Sequence, residues 1–200
     1  MAIGVLGGAF NPPHIGHLVF AQEAAAQLGL KRVHLVPTGR APHKQIADDP
    51  GMTTRLEMLE IAAAENHLLH VDRIEIEAAT GSERPSYTVH TLEALAGSEQ
   101  EIVLLMGADV AAHLEEWHQP RRVLERARVG IAARAGTDLD DVEAALERLG
   151  SRRGAEVVKM PGLEVSSTQI RRRLAQGRPA RYLVPDGVLE LIEAAGLYRG

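Results

Sequence analysis

His14 and His17, in the run His14-Ile15-Gly16-His17, follow a Gly7-Gly8 pair and an Asn11-Pro12-Pro13 turn. Imidazole donates from either ring nitrogen, changes charge near neutral pH, and bonds to oxygens that gain charge in a transition state. Gly16 between the two rings clears room for a phosphate. A zinc helix would ask for His at i and i+4 with a nearby carboxylate. No Glu or Asp lies between Phe10 and Gln22, so no metal ligation is expected here. Two polar residues capping a helix would explain a lone histidine, but not the whole stretch.

A second group has matching chemistry. Val165-Ser166-Ser167-Thr168-Gln169-Ile170-Arg171 sets Ser166 and Gln169 at capping-box spacing, with the hydroxyls of Ser167 and Thr168 at a helix start and Arg171 one turn along. An ordinary helix start uses one such hydroxyl, so the run reads as a phosphate cradle. Between these motifs, Gly107-Ala108-Asp109 puts a carboxylate where it suits ribose hydroxyls, and also where it can cap a helix. Ser86-Tyr87-Thr88 opens a helix with hydroxyls suited to a carboxylate or phosphate, with a plain cap at Thr88 as the alternative. Ala41-Pro42-His43-Lys44 sits in a loop rich in Pro, Gly and Asp, where a lid over a polyphosphate would lie. Arg134, at a strand end, is a candidate nucleotide contact. Trp117, the only tryptophan, would ordinarily be core, and His118 has no assignment.

These groups need a scaffold that gathers strand ends. Ile3, Val5 and Leu6 form a short apolar run that reads as a buried parallel strand halting at the glycines. From Gly16 the pattern turns helical, with a stop at Gly29. Further strands are expected over Arg32 to Pro37, Leu68 to Glu77, Ile102 to Met106, Val129 to Ala133 and Glu156 to Met160, and helices lie between them. Ile102 to Met106 is the most hydrophobic run and is expected to be central. Leu68 to Glu77 alternates like a strand with one wet face, leaving His67 and His70 structural or exposed. Thr54-Arg55-Leu56-Glu57 reads as a capping box opening an amphipathic helix in which Met58 is core. Arg55 is then either surface charge or a pocket wall. Asp138 to Leu149 is a capped, charged surface helix, and Arg181 to Pro185 with the helix to Leu197 is packing. Six strands alternating with helices imply an α/β fold, a single Rossmann-like parallel sheet with helices on both faces. Residues 1–200 are expected to form one domain.

The bulk composition narrows the partners. With 200 residues, 45% of them hydrophobic, and no cysteine, the chain supports one sizeable core and neither disulfides nor thiolate metal sites. A net charge of −5 argues against a general nucleic-acid binder. No run is long enough for a membrane span and no charged leader precedes the first strand, so a cytoplasmic location is the default. The glycine turn lacks the G-x-G-x-x-G fingerprint, and no P-loop motif is present, which removes the main support for hydride transfer and P-loop kinase chemistry.

GGAFNPPHIGHL resembles the signature of the HxGH nucleotidyltransferase superfamily, and most closely its nicotinate-nucleotide adenylyltransferase branch. Members commonly carry Asp at the position of Asn11. The PHK-type loop, Ser86-Tyr87-Thr88, and the run from Val165 to Arg171, similar to the family's ISSTxIR element, extend the likeness over nearly the whole chain. The resemblance implies a cytoplasmic enzyme of NAD biosynthesis that transfers the adenylyl group of ATP to nicotinate mononucleotide, by direct in-line attack without a covalent intermediate. His14 and His17 would be catalytic. ATP would be held by Gly7, Gly8, Phe10 and Gly16 at the first turn, Lys44 in the loop, Gly107 and Asp109 at the fourth strand, and Ser166, Ser167, Thr168 and Arg171 at the second motif. Ser86, Tyr87, Thr88 and Trp117 would hold nicotinate mononucleotide. Mg²⁺ would ride on the ATP phosphates and water. Preference for the amide mononucleotide, a pantetheine-phosphate substrate, and a non-catalytic nucleotide sensor are the competing readings; a homo-oligomer is compatible with all of them.

Overall fold

In a computed structural model the residues described are 2–42, 46–96, 101–133, 137–151 and 154–199. Along the chain run β1 (Ile3–Gly8), α1 (Ile15–Leu28), β2 (Val33–Pro37), α2 (Met52–Ala63), β3 (Leu69–Val71), α3 (Ile74–Ala79), α4 (Thr88–Leu95), β4 (Ile102–Gly107) and α5 (Ala108–Ala111). A 3₁₀ turn (Leu114–Glu116), α6 (Pro120–Arg126), β5 (Ala127–Ala133), α7 (Asp140–Arg148), β6 (Ala155–Lys159), α8 (Ser167–Ala175) and α9 (Asp186–Ala194) follow. The six strands are parallel, in the order β3-β2-β1-β4-β5-β6. The chain therefore starts at the centre, builds outward to β3, then returns to lay β4 against the other side of β1. Crevices open at the carboxyl ends of strands where such an order reverses.

Strand alternation divides the core. Ile3 and Val5 of β1 with Ile102 and Leu104 of β4 face the layer containing Val89 and Leu92 of α4. Leu6, Val103 and Leu105 point the other way, onto Phe20, Ala21 and Ala24 of α1. Small alanines on that helix let it lie close to the sheet. Gly29 ends it in the left-handed region at φ 62, and the Leu30 amide reaches back to the Ala25 carbonyl at 2.9 Å. A third cluster joins Met58 of α2 to Ile170 of α8 and Val184, Val188 and Ile192 around α9, so the C-terminal segment packs on α2 as expected.

Three expectations are corrected. The segment from Leu68 to Glu77 is not one strand: β3 ends at Val71, and Ile74–Ala79 is helical. The Asp72 carboxylate accepts the Ile74 amide at 3.1 Å and turns the chain there. Thr54 caps nothing, because α2 already begins at Met52, after Gly51 at φ 94, whose amide donates to Asp49 Oδ1 at 2.9 Å. The charged helix starts at Asp140 rather than Asp138, whose carboxylate instead accepts the Asp140 amide at 2.9 Å.

Candidate active site

A cavity of about 840 Å³ opens over the carboxyl ends of β1, β2 and β4, within the range of a small-molecule site. The first turn supplies one wall. β1 delivers Gly7 and Gly8 to the cavity, and the chain passes through Asn11, joined to Pro12 by a cis peptide, before α1 starts at Ile15. His14 is the N-cap, buried at 7% exposure, and stacks on His17 with ring centroids 3.7 Å apart at 22°.

The backbone fixes the proton on the second ring. The His14 amide donates to His17 Nδ1 at 3.2 Å, so neutral His17 carries its hydrogen on Nε2. Burial lowers the pKa of His14 to about 4 and, with the neighbouring His14 as a second cause, holds that of His17 well below 6.5. At neutral pH both rings are uncharged N–H donors. His14 Nδ1 is buried with no hydrogen-bond partner among the described residues, an arrangement that suits a group awaiting a ligand. A Cβ on Gly16 would lie 2.9 Å from Val165 Cγ1 and 3.0 Å from His14 Nδ1, so a side chain there would displace the ring. Not every amide of the helix start is open to a phosphate: Ile15 donates to the Leu183 carbonyl at 3.1 Å and His17 to that of His14 at 2.9 Å.

Ser86, Tyr87, Thr88 and Trp117 line the opposite wall, and Gly107 and Asp109 the end of β4. Tyr87 stacks on His118 at 4.2 Å and 26°, and Trp117 packs on the edge of the core beneath. Among the lining residues that the sequence did not single out are Glu75 and Thr91, and the lining also takes in His118, which had no assignment. Glu75 lay hidden in an alternating stretch read as strand. His118 had only its place beside Trp117 to mark it.

Other expected residues fall outside the lining. Phe10 is 2% exposed, in the core under the glycine turn, with its ring edge-on to His17 at 5.0 Å. Ser166, Ser167, Thr168 and Arg171 stand behind the first turn. Ser166 caps α8 by accepting the Gln169 amide at 3.2 Å. Ser167 Oγ donates to the Pro12 carbonyl at 2.8 Å, and Arg171 donates to the Asn11 carbonyl at 2.9 Å and to Asp48 at 3.1 Å. Lys44, His43 and Arg134 lie outside the described residues.

Arg55 answers the surface-or-wall question differently. It is fully buried, donating to Asp49 at 2.9 Å and to the carbonyls of Ala9 at 2.9 Å and Thr38 at 2.7 Å. Those bonds clamp the ends of β1 and β2 to the segment that leads into α2. Asn11 Nδ2 donates to the Ala47 carbonyl at 2.7 Å, and its Oδ1 accepts the Tyr198 hydroxyl at 2.5 Å, so the amide that stands at this position serves as a junction of three chain segments. Among the described residues the one three-member group with metal-ligand chemistry is His34, His70 and Asp72, none of which lines the cavity.

The chain is similar to known proteins along its length. The profile of the Cytidylyltransferase-like family matches residues 5–173. A protein of Dechloromonas aromatica named as a probable nicotinate-nucleotide adenylyltransferase is 40% identical, covering 98% of this chain and 97% of its own. One of the same name from Roseiflexus castenholzii is 41% identical with the same coverage. Among solved structures, the nicotinic acid mononucleotide adenylyltransferase of Plasmodium falciparum complexed with NaAD superposes with a TM-score of 0.77 at 15% identity, over 98% of this chain and 97% of that one. With such likeness along its whole length, the chain belongs to the cytidylyltransferase-like family, in its nicotinate-nucleotide adenylyltransferase branch.

Proposed function

We propose that the cavity joins nicotinate mononucleotide to the adenylyl group of ATP, giving nicotinate adenine dinucleotide and pyrophosphate, a step of NAD biosynthesis carried out in the cytoplasm. One observation carries the reading: the His14–His17 pair and the Ser86-Tyr87-Thr88 wall with Trp117 line one cavity, so a phosphate-activating group and an aromatic-carboxylate subsite share a single space. An oxygen of the mononucleotide phosphate attacks the α-phosphorus, the bond to the bridging oxygen breaks, and pyrophosphate leaves. No covalent enzyme intermediate is needed.

The protein contributes position and hydrogen bonds. Neutral His17 donates through Nε2 and His14 from its ring to phosphate oxygens that gain charge in the transition state. No acidic side chain occupies the first turn of α1, so its dipole acts on the phosphates undiminished. We assign Lys44 and Arg171, with Ser166, Ser167 and Thr168, to the triphosphate tail; to reach it, Arg171 and Ser167 would exchange the Asn11 and Pro12 carbonyls they hold here. To Asp109, at the end of β4 in the cavity lining, we assign the ribose hydroxyls. Mg²⁺ would enter with ATP as part of the substrate, held by its phosphates and water.

Pyrophosphate release from ATP and Mg²⁺, with nicotinate and nicotinamide mononucleotides supplied in parallel, is the test. A large preference for the acid, with dinucleotide formed, is expected. Preference for the amide would overturn the substrate assignment, and binding without release would overturn the activity.

A further inference from the structure

On the far side of β2 from α1, sheet register places His34 opposite His70 of β3. Asp72 follows His70 by two residues and so returns to the same face. His34 Nδ1 lies 3.1 Å from Asp72 Oδ2, and the two imidazole centroids are 5.1 Å apart at 73°. One ligand-capable atom from each of the three lies within 4.8 Å of the other two. We infer that His34, His70 and Asp72 form a binding site for a divalent transition-metal ion, with Zn²⁺ the best match, separate from the adenylyl-transfer cavity.

The donor set selects the ion. Two imidazole nitrogens and one carboxylate oxygen suit Zn²⁺ and its neighbours, whereas Mg²⁺ and Ca²⁺ take oxygen ligands. Metal–ligand bonds of about 2.1 Å give tetrahedral edges of about 3.4 Å. The His34–Asp72 separation of 3.1 Å is already within a few tenths of that value, and the His70 ring, which is exposed, closes the remaining two edges by rotation. Its exposure also provides the entry path and room for a water as fourth ligand.

The surroundings fix the carboxylate and leave room for positive charge. Asp72 Oδ1 is held by the Ile74 amide at 3.1 Å, while Oδ2 shares a hydrogen bond with His34 Nδ1 whose proton an ion would replace. Arg73, next in sequence, is drawn away onto Glu60 at 3.0 Å. Arg32 is the positive group acting on His34 against the ion. Bound metal would tie β3, only three residues long, to β2 and to the start of α3.

The untagged full-length chain, stripped with chelator, should give a visible Co²⁺ absorption band that saturates at one ion per chain and is displaced by Zn²⁺. Zn²⁺ should raise the Tm. His70→Ala, a change at an exposed ring, should weaken Co²⁺ binding by at least about tenfold and remove the Zn²⁺-dependent rise in Tm, while circular dichroism and pyrophosphate release with Mg²⁺ stay as in the parent. A missing band, or one of equal affinity in His70→Ala, overturns the site.

Discussion

The Thr91 hydroxyl donates to Glu75 Oε1 at 2.7 Å, at the wall shared with Ser86, Tyr87 and Thr88. Burial pushes the Glu75 carboxyl up, and bonds from Thr91, the Gly39 amide and Ser86 pull it back. One carboxylate thus organises the end of β2, the approach to α4 and α4 itself. Replacing Glu75 by Ala should raise KM for nicotinate mononucleotide by about tenfold, the equivalent of a hydrogen bond or so, with KM for ATP nearly constant. Glu75→Gln, which keeps one acceptor oxygen, should recover part of the loss. Steady-state kinetics with each substrate varied in turn decides; equal rises in both KM values would contradict the assignment to the acceptor wall.

His17 presents Nε2–H because its Nδ1 is occupied by a backbone amide. Removing a donor aimed at a transition-state oxygen costs roughly 100- to 1,000-fold in kcat, and His17→Ala should lose that much. A fall of less than about tenfold would rule out the transition-state role.

The two histidines also set a pH dependence of stability. In the unfolded chain each binds a proton near pH 6.5, whereas burial lowers His14 to about 4 in the fold and His17 well below 6.5. Between those values the unfolded state holds more protons, so stability rises with pH through the window and is lost on acidification from about 6.5 toward 4. At about 1.4 kcal/mol per pH unit, His14 alone accounts for up to about 3 kcal/mol. Urea midpoints at pH 7, 5.5 and 4.5 should fall more steeply for the parent than for His14→Asn; parallel slopes would remove the histidine from the explanation.

Arg55 is a buried charge with three hydrogen-bond partners. Cutting it to Ala strands Asp49 and two carbonyls, at a cost of about 3 kcal/mol or more. A drop in Tm of at least about 6 °C is expected for a chain of this size. Little change on calorimetry would mean that water replaces the guanidinium.

Where local chemistry decides the backbone, the sequence was readable. Apolar runs gave all six strands to within a residue or two except β3, and glycine marked the end of α1. The short helix α3 was missed because Ile74 and Ile76, both turned toward the core, alternate over so few residues that helical and extended periods look alike; the turn that Asp72 makes onto the Ile74 amide decided it. The motif residues on strand ends were found for the same reason the fold was, since a parallel sheet gathers those ends. What stayed hidden depended on distant partners. Arg55 is interior only because Ala9, Thr38 and Asp49 converge on it. The serines and Arg171 at α8 looked like a direct phosphate wall, yet in this structure they meet the carbonyls of Pro12 and Asn11, contacts that no local pattern encodes.

Those contacts bear on how the chain matures. The turn that holds both histidines is tied to partners 155, 160 and 187 residues further on, through Ser167, Arg171 and Tyr198. A polypeptide emerging from the ribosome makes this turn long before Ser167, Arg171 and Tyr198, and must carry it without those ties until they too have left the exit tunnel. Closing such long loops is slow relative to local pairing. The turn therefore gains its full bracing only once the segment from Ser167 to Tyr198 has been made and has packed against it.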